Sequence, residues 1–306
     1  MLPYIARRVV HVLLVVVGVV VITFAMLRLI PGNPARVIAG EFASADSIKA
    51  VEIRLGLDRP LPVQFGRYIG NLVRGNLGQS FHSNVPVARE LAVSYPITAQ
   101  LAVFSLLLAA VLGVPLGVAA AVRRGTAVDL VSMVIAVGGL SVPNFWLGLN
   151  LILLFSVTLR WLPSIGSDSL AHFVLPSISL ATFSLALIAR QMRSSLLEVL
   201  GQDFIRTARA KGLTGHGTIT RHALRNALIP VITVMGLNFG YVLGGTVITE
   251  SVFSMRGMGS LVVSSILDRD YPVVQAGILV LALNFALVNL LVDLAYAVAD
   301  PRVRYA

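Results

Sequence analysis

The chain has no cysteine and is poor in charged residues. Without cysteine it can form no disulfide, no thiolate nucleophile and no thiolate-bound metal site. Charged side chains make up 12% of the 306 residues, against about 25% in soluble domains. A chain with so few charges cannot cover a water-facing surface, so its composition places it among membrane proteins.

The motifs of common catalytic sites are missing as well. A nucleotide-binding P-loop needs a Gly-Lys pair, but each of the two lysines, Lys49 and Lys211, follows a residue other than glycine. The histidines are not spaced for an HExxH metal site, and no GxSxG nucleophile elbow occurs. We therefore expect a protein with no catalytic chemistry, cofactor or metal site of its own.

Apolar stretches dominate what is present. Hydrophobic residues make up 57% of the chain, and the mean hydropathy is +0.86. A membrane span needs roughly 20 mostly apolar residues. Six stretches fit that need: residues 9–30, 97–122, 130–159, 173–192, 228–248 and 273–298. The sequence predicts an all-α membrane protein with six transmembrane helices in a single domain, residues 1–306.

Positive charge predicts the orientation of these spans. The formal net charge is +10, and membrane proteins carry an excess of Arg and Lys in their cytoplasmic loops. If the N-terminus is cytoplasmic, the two short outer loops hold only Arg160, Arg256 and Arg269. We therefore predict that both termini are cytoplasmic. The first span is expected to be an uncleaved anchor, because its apolar run is longer than that of a signal peptide.

The outer segment, residues 31–96, predicts short amphipathic helices. Ile48 and Val51 recur at helical spacing behind the capping candidate Ser44, and a second apolar-faced stretch begins near Pro62. Such helices are too small to form a core of their own. They fit a docking surface for an external partner and a structured plug over the spans equally well.

Glycines recur every four residues in two of the spans. This spacing lets helix backbones approach closely in lipid. We expect helix packing at Gly113, Gly117, Gly236, Gly240 and Gly244.

Polar residues inside the spans are candidates for a translocation path. Pro143 interrupts the third span within GGLSVPNFWLG, since proline lacks a backbone donor. Polar groups at membrane depth usually face the bundle interior or a water-filled path. A simple kink and ordinary interhelical hydrogen bonds would also explain these features. The path candidates are Ser141, Asn144, Asn238, Tyr241 and Asn284.

The longest inner loop, residues 193–225, contains the charged stretch DFIRTARAKGL. Its acidic first residue and basic last turn suit the dipole of a short helix, and Gly212 provides a stop. Phe204, Ile205 and Ala208 share one face at helical spacing. We expect this apolar edge to enter a groove on another protein. A basic helix lying on anionic lipid would fit the same charges.

This stretch, followed by RHALRNALIPVIT, resembles the cytoplasmic-loop signature of ATP-binding-cassette importer permeases. It is similar in particular to the B-type subunit of the dipeptide, oligopeptide, nickel and glutathione group. The resemblance extends over essentially the whole chain. Further matching stretches occur in order: RLIPGNPAR, LGLDRPLPVQF, GNLGQSF, GGLSVPNFWLG, WLPSIG, VLPSISL, TESVFSMRGMG and RDYPVVQA.

The resemblance implies a permease that forms half of a pathway for short peptides, including glutathione-like cargo, and works by alternating access. Its implied partners are a homologous second permease, an extracytoplasmic substrate-binding protein and two cytoplasmic ATPases that bind ATP and Mg. The implied location is the bacterial plasma (inner) membrane.

The resemblance also implies that the short loop helix docks on the ATPase. Carried onto this chain, the docking residues are Asp203, Arg206, Thr207, Ala208, Arg209, Ala210, Lys211, Gly212 and Leu213. Arg206 and Thr207 depart from the general importer signature, which has Glu and Ala at these positions.

An ion-gradient-driven secondary transporter is the main competing hypothesis. Such a protein would need buried acids near mid-membrane, whereas Glu250 lies near the end of a predicted span. Two further hypotheses are a membrane-embedded enzyme, which the missing catalytic motifs disfavour, and a structural assembly factor, which would bind no ATPase.

Overall fold

A computed structural model of the chain describes residues 2–29, 34–40 and 43–299. Within these residues the regular elements are helices, apart from an isolated bridge between Gln79 and Pro86. Two further stretches, Ile152–Thr158 and Ile219–Ala223, are π-helical. The α-helices are α1 Leu2–Leu29, α2 Pro34–Ala39, α3 Ala45–Leu55, α4 Leu61–Val73, α5 Val87–Val122, α6 Ala127–Ser141, α7 Asn144–Leu151, α8 Ala171–Leu200, α9 Asp203–Ala210, α10 Gly215–Thr218, α11 Leu224–Val252, α12 Met258–Leu267 and α13 Tyr271–Ala299.

Four helical stretches of the described residues are long and apolar enough to cross a membrane. They are Val87–Val122, Ala171–Leu200, Gly215–Val252 and Tyr271–Leu291. The pair Ala127–Ser141 and Asn144–Thr158 passes the same test as one broken span, bent by 100°. The apolar part of α1, Val10–Met26, is shorter than the roughly 20 residues that a span needs. The structure thus supports four or five spans, and the sixth stays a prediction.

α5 and α8 form the central contact of the bundle. α8 also touches α6, α7 and α11. A Cβ atom at Gly113 would lie 3.0 Å from the Leu185 carbonyl oxygen. At Gly117 it would lie 2.5 Å from the Ala189 carbonyl oxygen. The distance at Gly117 is too short for any side chain, and the distance at Gly113 would force its neighbours to shift. The two glycines therefore let α5 and α8 approach closely.

The glycines of α11 behave differently from the sequence expectation. Gly236 is buried, and a Cβ at Gly240 would overlap the Phe285 ring of α13. A Cβ at Gly244 would meet nothing within 4 Å, whereas one at Gly245 would lie 2.7 Å from Leu180 Cδ1. No described residue packs closely at Gly244, and helix packing there stays a prediction. Each four-residue step turns a helix about 40° past a full turn. Successive glycines of the repeat therefore point in different directions around α11, and they cannot all face one neighbouring helix.

The described part of the segment 31–96 contains three short helices, α2, α3 and α4, and the beginning of α5. Ser44 caps α3 by accepting the Ser47 N–H at 3.2 Å, and Gly56 ends the helix with φ +69°. Pro62 stands in the first turn of α4, where a missing backbone N–H does no harm. Gly75 follows the helix with φ +73°. These ends agree with the stop and start signals that the sequence carries.

α4 lies on the C-terminal end of α1. The Phe65 ring meets the Phe24 ring edge to face at 5.0 Å, and the Tyr68 ring stacks on it at 5.9 Å. Residues 31–33 and 41–42 of the same outer segment lie outside the described residues.

Candidate functional site: the loop helix and the path candidates

α9 has one face against the protein and one face open to solvent. Ile205 is fully buried and Ala208 is 7% exposed. Ile205 belongs to an apolar cluster that also contains Leu196 and Val199 of α8 and Ala227 of α11. The apolar face of α9 is therefore anchored to the ends of the two neighbouring helices.

This arrangement corrects the orientation expected from the sequence. The sequence interpretation puts Ala208 on the edge that enters a partner's groove, but in the structure Ala208 faces the chain's own core. Helical periodicity in the sequence shows only that α9 has an apolar face that should be buried. In the structure, residues of α8 and α11 bury it at Ile205. Phe204 is a large apolar residue of α9 that stays outside, with 40% of its surface exposed.

The opposite face of α9 is polar and open. Arg206 and Asp203 form an ion pair of 3.4 Å, with side chains that are 76% and 94% exposed. Exposed pairs of this kind contribute about 0–1 kcal/mol, so they leave these charges free to bind elsewhere. Exposed residues of the stretch are Asp203, Arg206, Thr207, Arg209, Ala210, Lys211 and Gly212, while Leu213 is half-buried.

A short connection joins α9 to the apolar helix that follows. Gly212 has φ +84°, a left-handed conformation that favours glycine. Thr214 then caps α10, since its Oγ1 accepts the Gly217 N–H at 3.3 Å. From Gly215 the helix continues to Val252 as one stretch. A displacement of α9 would reach α11 through very few free backbone torsions.

An ion pair joins α6 to α8. Arg193 Nε and Nη2 donate to the two carboxylate oxygens of Asp129 at 2.7 and 2.8 Å. The Gly125 N–H donates to the same carboxylate at 3.0 Å. Two parallel bonds fix the relative orientation of the groups as well as their distance. The sequence analysis missed this pair, because nothing in the local pattern connects residues so far apart in the chain.

The predicted path residues do not share one environment. Ser141 and Tyr241 are exposed, Asn144 and Asn284 are half-buried, and Asn238 is 6% exposed. Ser141 and Asn144 flank the break between α6 and α7.

Three of these residues have informative surroundings. The Asn144 carbonyl oxygen accepts the Ser179 hydroxyl of α8 at 2.6 Å. Tyr241 stacks on Phe183 with ring centroids 4.0 Å apart. The Asn238 Nδ2 has no hydrogen-bond partner among the described residues. Asn238 and Tyr241 therefore face different surroundings on α11, and the structure does not bring the five candidates into one lining.

Glu250, near the end of α11, is fully buried and fully bonded. Its carboxylate accepts the Thr98 hydroxyl of α5 at 2.6 Å and the Ser260 N–H at 2.9 Å. Thr98 Oγ1 in turn accepts the Met258 N–H at 2.8 Å. A Cβ at Gly259 would lie 2.9 Å from the Glu250 carboxylate. This network ties α11, α12 and α5 together. The sequence feature that accompanies this network is the pair of glycines in GMG, because a side chain at either position would overlap Glu250.

The chain matches two family descriptions that together span nearly its full length. Residues 113–305 match "Binding-protein-dependent transport system inner membrane component". Residues 1–102 match the N-terminal membrane component of binding-protein-dependent transport systems.

Curated relatives are similar over their whole length. The glutathione transport system permease protein GsiC of Escherichia coli K12 is 46% identical over 305 residues, covering 100% of both chains. The protein of the same name from Salmonella typhi is 45% identical over the same coverage. Among solved structures, an inward-facing MetNI methionine ABC transporter matches with a TM-score of 0.60 and 20% identity. That match covers 70% of this chain and 98% of the solved one, and it supports the fold alone.

Proposed function

Because this chain belongs to the family of binding-protein-dependent transport system inner membrane components, we propose that it is a permease subunit of an ATP-driven importer. It would cross the bacterial inner membrane six times, with both termini in the cytoplasm. It would perform no chemistry itself, and ATP and Mg would bind to partner ATPases.

The single observation that carries the proposal is the split character of α9. Its apolar face is anchored by Ile205 to the cluster formed with α8 and α11, Ala208 on the same face is buried, and its charged face is open. An eight-residue helix is marginal in water when isolated, so the anchor keeps it folded and in place. A rigid helix held at the cytoplasmic end with a free polar face can pass force from another protein to the spans.

The outward residues of α9 are thus the proposed ATPase contact. Asp203, Arg206, Thr207 and Ala210 lie on the side opposite the anchor, and Arg209, Lys211 and Gly212 extend this surface. Ala208 and Leu213 would support the contact from within the chain. The proposed partner is still the ATPase, but it would touch the exposed polar face of α9 and not the buried apolar face.

The mechanism would be alternating access. Closure of two ATPases would move α9, and the short connection after Gly212 would transmit that displacement to α11. A second, homologous permease would form the other half of the path, and an extracytoplasmic binding protein would deliver the cargo. Ser141, Asn144, Asn238, Tyr241 and Asn284 remain the candidates for lining this path.

Short peptides are the proposed cargo, and glutathione is the first to test. The support is the 46% identity to the glutathione permease over the whole chain.

The ion-gradient hypothesis would have Glu250 as its candidate coupling residue. The carboxylate is buried, and its oxygens accept hydrogen bonds from Thr98 and Ser260 that join α5, α11 and α12. The residue also lines a cavity of 790 Å³ near the end of α11. A coupling site for a proton or sodium ion needs an acid that can exchange with a water-filled path, so transport assays decide between the two hypotheses.

Uptake by the complete complex in proteoliposomes tests the function. We expect glutathione accumulation to require ATP and to persist when ionophores remove the ion gradients. Accumulation that continues without ATP and stops with the ionophores would establish the ion-gradient hypothesis.

Ala210→Glu tests the docking face of α9. Ala210 is exposed, so the substitution should leave insertion and assembly unchanged. A bulky charge in the proposed contact should lower ATP-dependent uptake at least about tenfold, which corresponds to losing about 1.4 kcal/mol of interface free energy. Ala210→Ser is the matched control and should behave like the wild-type chain. Normal uptake by the Glu variant would remove Ala210 from the contact.

A further inference from the structure

A polar cavity opens on the outer side of the protein, between α4, the end of α1 and the start of α13. Its volume is 350 Å³, near the lower end of the roughly 300–1,000 Å³ typical of small-molecule sites. No described residue of its lining is acidic. The polar lining residues are Gln64, Arg67, Tyr68, Asn71, Asn76 and Gln275.

Gln275 is the most unusual of these residues. Its side chain, in the second turn of α13, is 7% exposed. Its Nε2 has no hydrogen-bond partner among the described residues. A buried amide donor without a partner costs free energy, and native proteins rarely leave one without a reason. A ligand that accepts a hydrogen bond in this cavity would supply the missing partner.

Arg67 adds a positive charge to the same cavity. Its guanidinium lies over Gly56, where a Cβ would be 2.9 Å from Arg67 Nη1. Within the described part of the chain the guanidinium makes no hydrogen bond or ion pair, so its donors remain available. Burial raises the pKa of the neighbouring Tyr68 hydroxyl, which keeps that group a neutral O–H donor at physiological pH.

The wall of the cavity is held in place by its own hydrogen bonds. The Asn76 Oδ1 accepts the Gly78 N–H at 3.0 Å, which leaves the Asn76 amide nitrogen as the free end of that side chain. Directly after this turn, the Ser80 hydroxyl donates to the buried carboxylate of Asp270, one residue before α13. The Phe81 N–H donates to the same carboxylate at 3.1 Å. The loop that forms one wall is thus tied to the base of the helix that carries Gln275.

We propose that this cavity binds the carboxylate of a small ligand. The guanidinium of Arg67 can donate two parallel hydrogen bonds to a carboxylate, and Gln275 Nε2 supplies a buried donor in the same cavity. Donors without acidic neighbours favour an anion over a cation or a neutral sugar. The inference rests on the proposed function in one respect, since a transported peptide would bring the carboxylate to the outer mouth of the protein.

Direct binding tests the site separately from transport. The assembled permeases and ATPases are placed in nanodiscs without the external binding protein and titrated calorimetrically with glutathione. The comparison ligand is glutathione with both carboxylates converted to primary amides, which keeps nearly the same shape and removes the negative charges. The variants are Arg67→Gln and Gln275→Leu, with Arg74→Gln as the matched control, because Arg74 is exposed at the end of the same helix and lies outside the cavity.

We expect glutathione to bind the wild-type complex and the diamide to bind at least about tenfold more weakly, since bonds to a charged group are lost. Arg67→Gln and Gln275→Leu should each weaken glutathione binding about tenfold, and Arg74→Gln should not. Unchanged α-helical circular dichroism and complex size would show that the variants are folded. Arg67→Lys should restore part of the affinity, because it keeps the charge without the planar pair of donors.

Several outcomes would overturn the inference. These are no glutathione binding to the wild-type complex, equal binding of the diamide, or equal binding by the Arg67→Gln variant. Weaker association of the external binding protein with Arg67→Gln, at unchanged glutathione affinity, would assign the cavity to an acidic protein side chain instead. ATP-dependent uptake without any of these binding effects would refute the subsite and leave the proposed function intact. Binding with these effects but without ATP-dependent uptake would support the subsite and refute the proposed function.

Discussion

Replacing Ile205 by alanine should separate the anchor of α9 from its docking surface. Ile205 is fully buried in the cluster formed with α8 and α11, and α9 is only eight residues long. Truncating a buried isoleucine to alanine costs about 2–5 kcal/mol. The spans have their own contacts, so this loss should fall mainly on the attachment of α9.

A loss of about 3 kcal/mol would shift the equilibrium between docked and undocked α9 by roughly a hundredfold or more. A helix of this length has little stability of its own in water, so the undocked segment should also unfold. The backbone amides of α9 should then exchange with deuterium faster by a similar factor, up to the rate of unfolded peptide. ATP hydrolysis by the partner subunits should continue, while uptake per ATP falls.

Hydrogen–deuterium exchange with mass spectrometry, together with uptake and ATPase rates in nanodiscs or proteoliposomes, measures both effects. Phe204→Ala is the matched control: Phe204 is the neighbouring apolar residue, but it is 40% exposed. Its truncation should leave exchange in α9 nearly unchanged. If Ile205→Ala left both the exchange and the uptake per ATP at wild-type values, the anchoring role of this face would be refuted.

Two further substitutions test the contacts that hold the spans together. Asp129→Asn should lower the thermal unfolding temperature of the complex, because it breaks the two-point bond to Arg193. The exchanged pair, Asp129→Arg with Arg193→Asp, should recover part of the lost unfolding temperature. No recovery would argue against a direct pairing of the two side chains. Gly117→Ala should destabilise the protein by about 1–3 kcal/mol, because the new methyl group in buried α5 would lie 2.5 Å from the Ala189 carbonyl oxygen of α8. Gly244→Ala in α11 should be nearly neutral, since the space there is open. Equal melting temperatures for the two alanine variants in nanodiscs would contradict the close approach of α5 and α8.

Local sequence patterns were enough for the elements themselves. Long apolar runs predict membrane helices because lipid offers no partner for backbone groups, and the structure has helices along each of these runs. Pro143 predicts the break between α6 and α7 because it cannot donate to the helix ladder. Ser44, Pro62 and Gly212 mark helix ends for reasons that lie within a few residues of each of them.

Which side of a helix is covered was decided only by the tertiary structure. The sequence identifies the apolar face of α9, but the proximity of α8 and α11 decides that Ile205 packs within this chain and not against a partner. In the same way, the position of α8 relative to α11 selects Gly245 over Gly244 for close contact.

The polar sites depend even more on the tertiary fold. Arg67 and Gln275 lie at distant points of the chain and line one cavity only because the fold brings α4 and the start of α13 to the same place. Thr98 likewise reaches Glu250 only because α5 lies beside the end of α11. Periodicity and capping are short-range properties of the chain and determine its helices. Cavities, ion pairs and buried carboxylates arise where helices distant in sequence meet, and no local pattern encodes that meeting.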